Sequence, residues 1–400
     1  MEFYKETDFK EIESIGRIPK DWDVKEIREI VDIKNGQRPK ISDSGTIPVY
    51  GANGIMGYTS QGIVEGDFII LIGRVGASGE VNIAKGKVWV SDNAFYTERF
   101  EAAEAYPRFI YYLLKYKQLS QYAKKSTHPI ISLSFLRSFH IEIPIIEEQR
   151  KIASLLSNLD SLIQQTDSII LKTQELKKGL MQQLLTRGIG HTEFRYSEEL
   201  GREIPKEWEL RSIEDMCDVN KDTLKNGTDG DYEFYYIDIG GVAYAGAKPT
   251  MQQLVFREAP SRARRIAKKD DILVSTVRPY LRAFTYIDND KDNLICSTGY
   301  AVLTTKHAAY PRFVYQYILS EYFLNQLIPM GSSYPAVTSK QVGRVKIPLP
   351  NLDEQRIIVT TLTSIDEQIE TEILTKEKLE ILKKGLMKIL LTGQVRIKVS

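Results

Sequence analysis

Cysteine is nearly absent from this chain: Cys217 and Cys296 stand alone, without a CxxC pair. Histidine is almost as scarce, and His128, His140, His191 and His307 show no metal-ligand spacing. A disulfide framework or a structural zinc site is thereby excluded, and a reducing cytoplasm is the expected compartment, with no metal. Charge of one sign is missing too. Fifty-four Lys and Arg stand against 53 Asp and Glu, a net charge of +1, so attraction to nucleic acid must rest on local patches. Apolar runs such as FIILI (68–72) are far too short to span a bilayer, so no membrane partner is expected. The opening MEFYKETDFK has no apolar signal-peptide core. Catalytic signatures are lacking as well: no Walker lysine, no GxSxG, no NPPY-type motif. The glycine-rich runs YGANGIMGY (50–58) and GRVGASGE (73–80) do not have dinucleotide-binding spacing before a helix.

What the chain does have is a repeat. EEQRKIASLLSNLDSLIQQTDSIILKTQELKKGLMQQLLT (147–186) aligns with DEQRIIVTTLTSIDEQIETEILTKEKLEILKKGLMKILLT (353–392) at an offset of 206 without a gap, with about 17 identities in 40 positions. Upstream, Pro129 and Pro144 fall on Pro335 and Pro350, YPRF (106–109) meets YPRF (310–313), and IPKDW (18–22) meets IPKEW (204–208). This is a tandem duplication, with unit one at roughly 1–190 and unit two at roughly 191–400. Between the tryptophan and YPRF the units share little, and unit two is longer. Each unit therefore joins a fixed frame, a variable body and a repeated helix.

The repeated segments predict long helices. Glu147 and Glu148 lie in a first turn after Pro144, no proline interrupts, and Gly188 and Gly190 end the first. Forty residues give about 60 Å at ~1.5 Å per residue. Ile152, Leu156, Leu159, Ile163, Ile170, Leu176, Leu180 and Leu184 form one apolar stripe; Ile358, Leu362, Ile365, Ile369, Ile373, Leu379, Leu382, Leu386 and Leu390 form its counterpart. The two helices are expected to pair with each other. Gly179 and Gly385 interrupt them at a cost of up to about 1 kcal/mol each against alanine, which fits either a close approach from outside or a kink. With Leu180, Met181 and Leu184, and Leu386, Met387 and Leu390, they predict a docking surface for another protein.

In the bodies, loops rich in Gly, Asn and Ser carry Tyr50, Asn53 and Arg74, while KNGQRPK supplies Lys34, Arg38 and Lys40, and KKSTHP supplies Lys124 and Lys125. Unit two clusters cations in REAPSRARRIAKK, including Arg262, Arg264, Arg265 and Lys268, and continues with Arg278 and Arg282. Such loops suit phosphate contacts and base-edge hydrogen bonds, so these fourteen residues are the candidate DNA-binding set.

The doubled order of variable body, EEQR- or DEQR-led helix and LKKGLMxxLLT end, with IPxxW leads and the YGANGIMGY loop, resembles the specificity subunit of type I restriction–modification systems. The resemblance covers essentially the whole chain. It implies an α+β fold of two similar mixed α/β target recognition domains, joined by two antiparallel helices that form a coiled coil with pseudo-twofold symmetry. The expected limits are 1–145 and 191–351 for the recognition domains, and 146–190 and 352–400 for the helices. It also implies that each domain reads one half of a split double-stranded DNA site, that the helices dock two methyltransferase subunits, and that restriction subunits join through that complex. Catalysis is expected elsewhere. The chain would carry no cofactor of its own, with S-adenosylmethionine, ATP and Mg2+ on the partner subunits. A single-chain nuclease or methyltransferase, or a coiled-coil adaptor binding only protein, are the rival readings.

Overall fold

The computed structural model describes residues 2–13, 15–39, 41–101, 103–123, 129–306, 309–331 and 335–399. Two short helices, α1 (Pro107–Tyr116) and α3 (Pro311–Ile318), begin at the repeated YPRF, with proline in the first turn where its missing N–H is not needed. Two long ones, α2 (Ile146–Leu184) and α4 (Leu352–Leu391), run unbroken through the repeated segments.

The chain divides into spatial units that do not follow the sequence repeat. Unit 1 comprises residues 1–168 and 373–400, and unit 2 comprises 169–372. Each holds one body, the start of its own long helix and the end of the other. In unit 1, Ile152, Ala153 and Leu156 of α2 share a core with Leu390 and Leu391 of α4. In unit 2, Ile358, Val359 and Leu362 of α4 share one with Leu184 and Leu185 of α2. Helix contacts are antiparallel within each unit: Asp160 pairs with Lys383 and Asp167 with Lys376 in unit 1, and Lys177 with Asp366 in unit 2. Asp160 and Lys177 are the repeat counterparts of Asp366 and Lys383, so one ion pair occurs twice with its partners exchanged.

The buried stripe follows the expected one except at Leu176, Leu382 and Ile373, and it also takes in threonines. Along α2, Leu159, Thr166, Ile170 and Thr173 are buried, in steps of seven, four and three. Leu176 is 56% exposed, and its counterpart Leu382 is 50% exposed. Ile373 also faces solvent, at 40%. Apolarity alone placed leucines on the stripe, but a 3.5-residue repeat puts Thr173 and Lys177 inward and carries Leu176 past it.

The repeated Gln of EEQR and DEQR joins each long helix to its YPRF helix. Gln149 accepts from the Tyr106 N–H at 2.8 Å and donates to the carbonyls of Pro144 and Glu104. Gln355 accepts from the Tyr310 N–H at 2.7 Å and donates to the Pro350 carbonyl. The Glu before it is buried in both units and takes different partners. Glu148 receives the Arg396 guanidinium through two hydrogen bonds of 2.7 Å; Arg396 also donates to Asp21 and Glu6. Burial opposes the Arg396 charge, but Glu148 and Asp21 outweigh it and push its pKa up. Glu354 accepts from Trp208 Nε1 at 3.1 Å and the Ile189 N–H at 2.9 Å, with His191 Nε2 at 3.0 Å.

Both bodies grow from one sheet plan. In unit 1 the strands β1 (Val31–Asn35), β2 (Ile47–Gly51), β3 (Gly54–Thr59), β4 (Val64–Gly73), β5 (Val81–Val90) and β6 (Ala94–Phe100) stand in the order β1-β6-β4-β5-β2-β3. All neighbours are antiparallel except β2 and β5. Unit 2 has β7 (Cys217–Val219), β8 (Glu233–Ile237), β9 (Gln252–Val255), β10 (Ala263–Ala267), β11 (Ile272–Ser275), β12 (Phe284–Tyr286), β13 (Leu294–Ser297) and β14 (Tyr300–Thr305). They form two sheets, β7-β14-β11-β12 and β9-β8-β13-β10, with β8 and β13 parallel. The ten-residue β5, which links both halves of the unit 1 sheet, corresponds to the separate strands β12 and β13. The ten-residue β4 splits in the same way: Val64–Gly66 pair with the end of β5 as β10 pairs with β13, and the rest of β4 corresponds to β11, so the extra length of unit 2 lies mainly before β10.

Candidate nucleic-acid interface and helix surfaces

The basic cluster of unit 2 lies on and around β10, at the edge of its sheet. Its cations are matched by acids brought from elsewhere in the chain. Arg262 meets Asp238 at 2.8 Å, Lys268 meets Asp222 at 2.6 Å and Lys269 meets Asp290 at 2.6 Å. Arg264, skipped at a bulge of the strand, lies over the Phe256 ring at 4.7 Å, and Arg265 beside it is half-buried. The run that reads as strongly basic is therefore largely neutralised in the fold. Exposed pairs of this kind contribute only about 0–1 kcal/mol, so each can exchange its carboxylate for a phosphate.

Arg278 and Arg282 flank the short 3-10 turn Pro279–Leu281, both with left-handed backbone. Arg282 donates to the Leu319 carbonyl and pairs with Glu321 at 3.2 Å. In unit 1, Lys34 on β1 pairs with Asp32 at 3.1 Å and Glu98 at 3.5 Å, and its hydrogen bond to the Asp32 carboxylate raises its pKa. Arg38 and Asn53 are exposed, Asn53 in the β2–β3 hairpin turn. Tyr50 is half-buried on β2, packed against the sheet core. Arg74 donates to the Asp92 carbonyl at 3.3 Å. Lys40, Lys124 and Lys125 lie outside the described residues. The candidate residues of unit 1 thus distribute over the β2–β3 hairpin, the coil before it and the loop after β4, rather than converging on one pocket.

The helix surfaces correct the expected docking set. Leu184 and Leu390 are buried in the cores of unit 2 and unit 1, with Leu180 and Met181, and Leu386 and Met387, packed partly buried against them. Leu184 and Leu390 fasten a helix end to a body, while Leu180, Met181, Leu386 and Met387 keep part of their surface exposed. Gly179 and Gly385 remain exposed. A Cβ at either would meet nothing within 4 Å, and both helices continue past them, so close packing among the described residues does not explain the glycine. Most identities between the repeats have an internal reason: Gln149, Ile152, Leu156, Asp160, Lys177 and Leu185, with their counterparts, are buried or paired. Lys172, Leu176, Lys178 and Gly179, with Lys378, Leu382, Lys384 and Gly385, are kept in both copies yet exposed. Lys172, Leu176 and Gly179 follow each other at helical steps of four and three, on one face.

Reactive groups are sparse. Burial pushes the Cys217 thiol up to about 12, and the Cys296 thiol is raised further by the same cause, so neither is a nucleophile at neutral pH. Among the described residues no cluster of His, Cys, Asp or Glu could hold a metal ion, and no helix is long and apolar enough to cross a membrane.

Two bodies on one repeated frame, whose frame contacts agree and whose loops and edge strands differ, define a duplicated recognition protein. The chain belongs to the type I restriction modification DNA specificity domain family, whose sequence model matches residues 19–173 and 205–381. It is 27% identical over 431 aligned residues to the type I restriction enzyme MjaVIII specificity subunit of Methanocaldococcus jannaschii, covering 100% of this chain and 98% of that protein. It is 28% identical over 431 residues to the putative type I restriction enzyme MjaX specificity subunit of the same organism, covering 100% and 99%. The fold is that of the crystal structure of a type I restriction–modification S subunit from M. genitalium, at a TM-score of 0.59 and 19% identity over 95% of this chain and 97% of that one. The chain is thus a specificity subunit of a type I restriction–modification system, the component that recognises DNA.

Proposed function

We propose that this specificity subunit reads a two-part double-stranded DNA sequence, one half per body, and that the paired helices set the spacing between the halves. The observation that carries this reading is the contrast between frame and loops: the Gln149 and Gln355 contacts and the exchanged Asp–Lys pairs are the same in both units, whereas the strand edges and loops are not. Two different reading surfaces on one frame suit a site with two different halves.

The repeated exposed residues Lys172, Leu176, Lys178 and Gly179, with their counterparts, support docking of two copies of one partner, which we assign to methyltransferase subunits; restriction subunits join through that complex. The protein itself is non-catalytic and carries no cofactor. S-adenosylmethionine, ATP and Mg2+ belong to the partner subunits, and the compartment is the cytoplasm, where the DNA is. The test is a chimera. Replacing residues 23–105 by the matching segment of a relative with another specificity should change one half of the methylated sequence and leave the other half and the spacer intact. A change in both halves, or in neither, refutes two independent readers. Methyl transfer by the purified chain with S-adenosylmethionine would refute the non-catalytic assignment.

A further inference from the structure

The loop between β11 and β12 carries two left-handed non-glycine residues within five positions, Arg278 at φ 48° and Arg282 at φ 56°. L side chains avoid that region, so the surrounding fold must hold the loop there. It does so from both ends. Val277 bridges to Ala336, and the Arg278 N–H donates to the Pro335 carbonyl at 2.8 Å. Arg282 is tied to Leu319 and Glu321, and Pro279 is buried. The result is a rigid crest with Tyr280 56% and Leu281 58% exposed. A second loop lies alongside: the Gly246 N–H donates to the Phe284 carbonyl at 3.1 Å, and Thr285 Oγ1 donates to the Ala247 carbonyl at 2.8 Å. That loop presents Tyr244, 68% exposed.

Unit 1 has the same anchored loop with a different tip. After β4, Val75 bridges to Ile130 as Val277 bridges to Ala336, but the tip holds Gly76 and Gly79 at positive φ and no aromatic residue. The anchor is common to both units, and the tip is particular to each. Exposed aromatic side chains on a fixed backbone give large contact area at little ordering cost.

We propose that Tyr280 and Leu281, with Tyr244 on the loop tied to β12, are the base-contacting crest of unit 2. They enter a DNA groove and meet bases through ring faces and apolar contact, including thymine methyl groups. Arg278 and Arg282 shape the loop. The assignment rests on the DNA-reading function proposed above and names where unit 2 reads.

Apolar base contacts release no counterions, which separates them from phosphate contacts. The full chain, with methyltransferase subunits bound, is titrated against a duplex library randomised in both half-sites, for the wild type, the Tyr280→Ala/Leu281→Ala double variant, Tyr244→Ala and Tyr280→Phe. The double variant should lose about tenfold or more of its base discrimination at one or two positions of one half-site. The other half-site, the slope of log affinity against log salt, and the thermal midpoint should stay unchanged, because both side chains are exposed. Tyr244→Ala should weaken the same half-site, and Tyr280→Phe should keep wild-type discrimination. Unchanged discrimination in the double variant, equal loss in both half-sites, or a reduced salt slope overturns the inference while leaving the two-reader function standing. A wild type without sequence preference overturns that function and this inference with it.

Discussion

Replacing Arg396 by methionine removes the one cation facing three carboxylates in unit 1. Glu148, fully buried, loses both of its 2.7 Å hydrogen bonds. Asp21, whose side chain is 64% exposed, regains water; Glu6, at 12%, regains less. The cost therefore concentrates on Glu148. An uncompensated buried charge costs about 3–5 kcal/mol. With a urea m-value of about 2–3 kcal/mol/M for a unit of this size, the midpoint should fall by roughly 1–2 M. Trp22, whose ring lies 5.5 Å from the guanidinium, reports locally through its fluorescence. The Arg396→Met/Glu148→Met double variant should recover most of the loss, because it leaves no buried charge unpaired. The pH dependence has a definite sign. The Arg396 hydrogen bond lowers the Asp21 pKa, so in the wild type this stability is present above the ordinary carboxylate range and is lost as pH falls below about 4. In Arg396→Met, Asp21 no longer has that partner, so the variant lacks this pH-dependent stability. The gap between the two proteins should narrow as the pH falls below about 4. A loss below about 1 kcal/mol at pH 7, or a double variant as unstable as the single one, would refute the argument.

Further outcomes follow from the helices. Gly179→Ala and Gly385→Ala should each raise stability by up to about 1 kcal/mol in urea unfolding, since nothing stands near either Cβ position. Gly179→Leu with Gly385→Leu should leave folding intact but weaken methyltransferase binding at least tenfold by calorimetry; wild-type affinity would remove this face from the docking surface. Seven residues inserted after both Gln174 and Glu380 preserve the helical register and add about 10 Å. The preferred spacer should lengthen by two or three base pairs, read from methylation of a spacer library, with affinity reduced because the half-sites turn relative to each other. An unchanged spacer optimum in a folded, active variant would show that the helices do not measure the DNA.

The duplication and the long helices were legible in the sequence, because a frame constrained by the same contacts in both copies retains the same residues. Gln149 and Gln355, Asp160 and Asp366, and Lys177 and Lys383 are alike because they do one task twice. The absence of metal and nucleotide motifs was equally plain. What the sequence alone could not settle is which atoms meet across long separations. The charge of REAPSRARRIAKK looks unopposed until the fold brings Asp222, Asp238 and Asp290 to it. Leu184 and Leu390 look like surplus apolar surface until each meets a core assembled largely from the other repeat. Leu176 looks like a seam residue, and is carried outward by the 3.5-residue register. Tyr280 and Leu281 carry no signal in the sequence and stand exposed, because two left-handed arginines and a buried proline turn the chain outward there. Local pattern determined the elements and their duplication. Burial and charge neutralisation belong to pairs of residues far apart in the chain, and only the tertiary structure decided them.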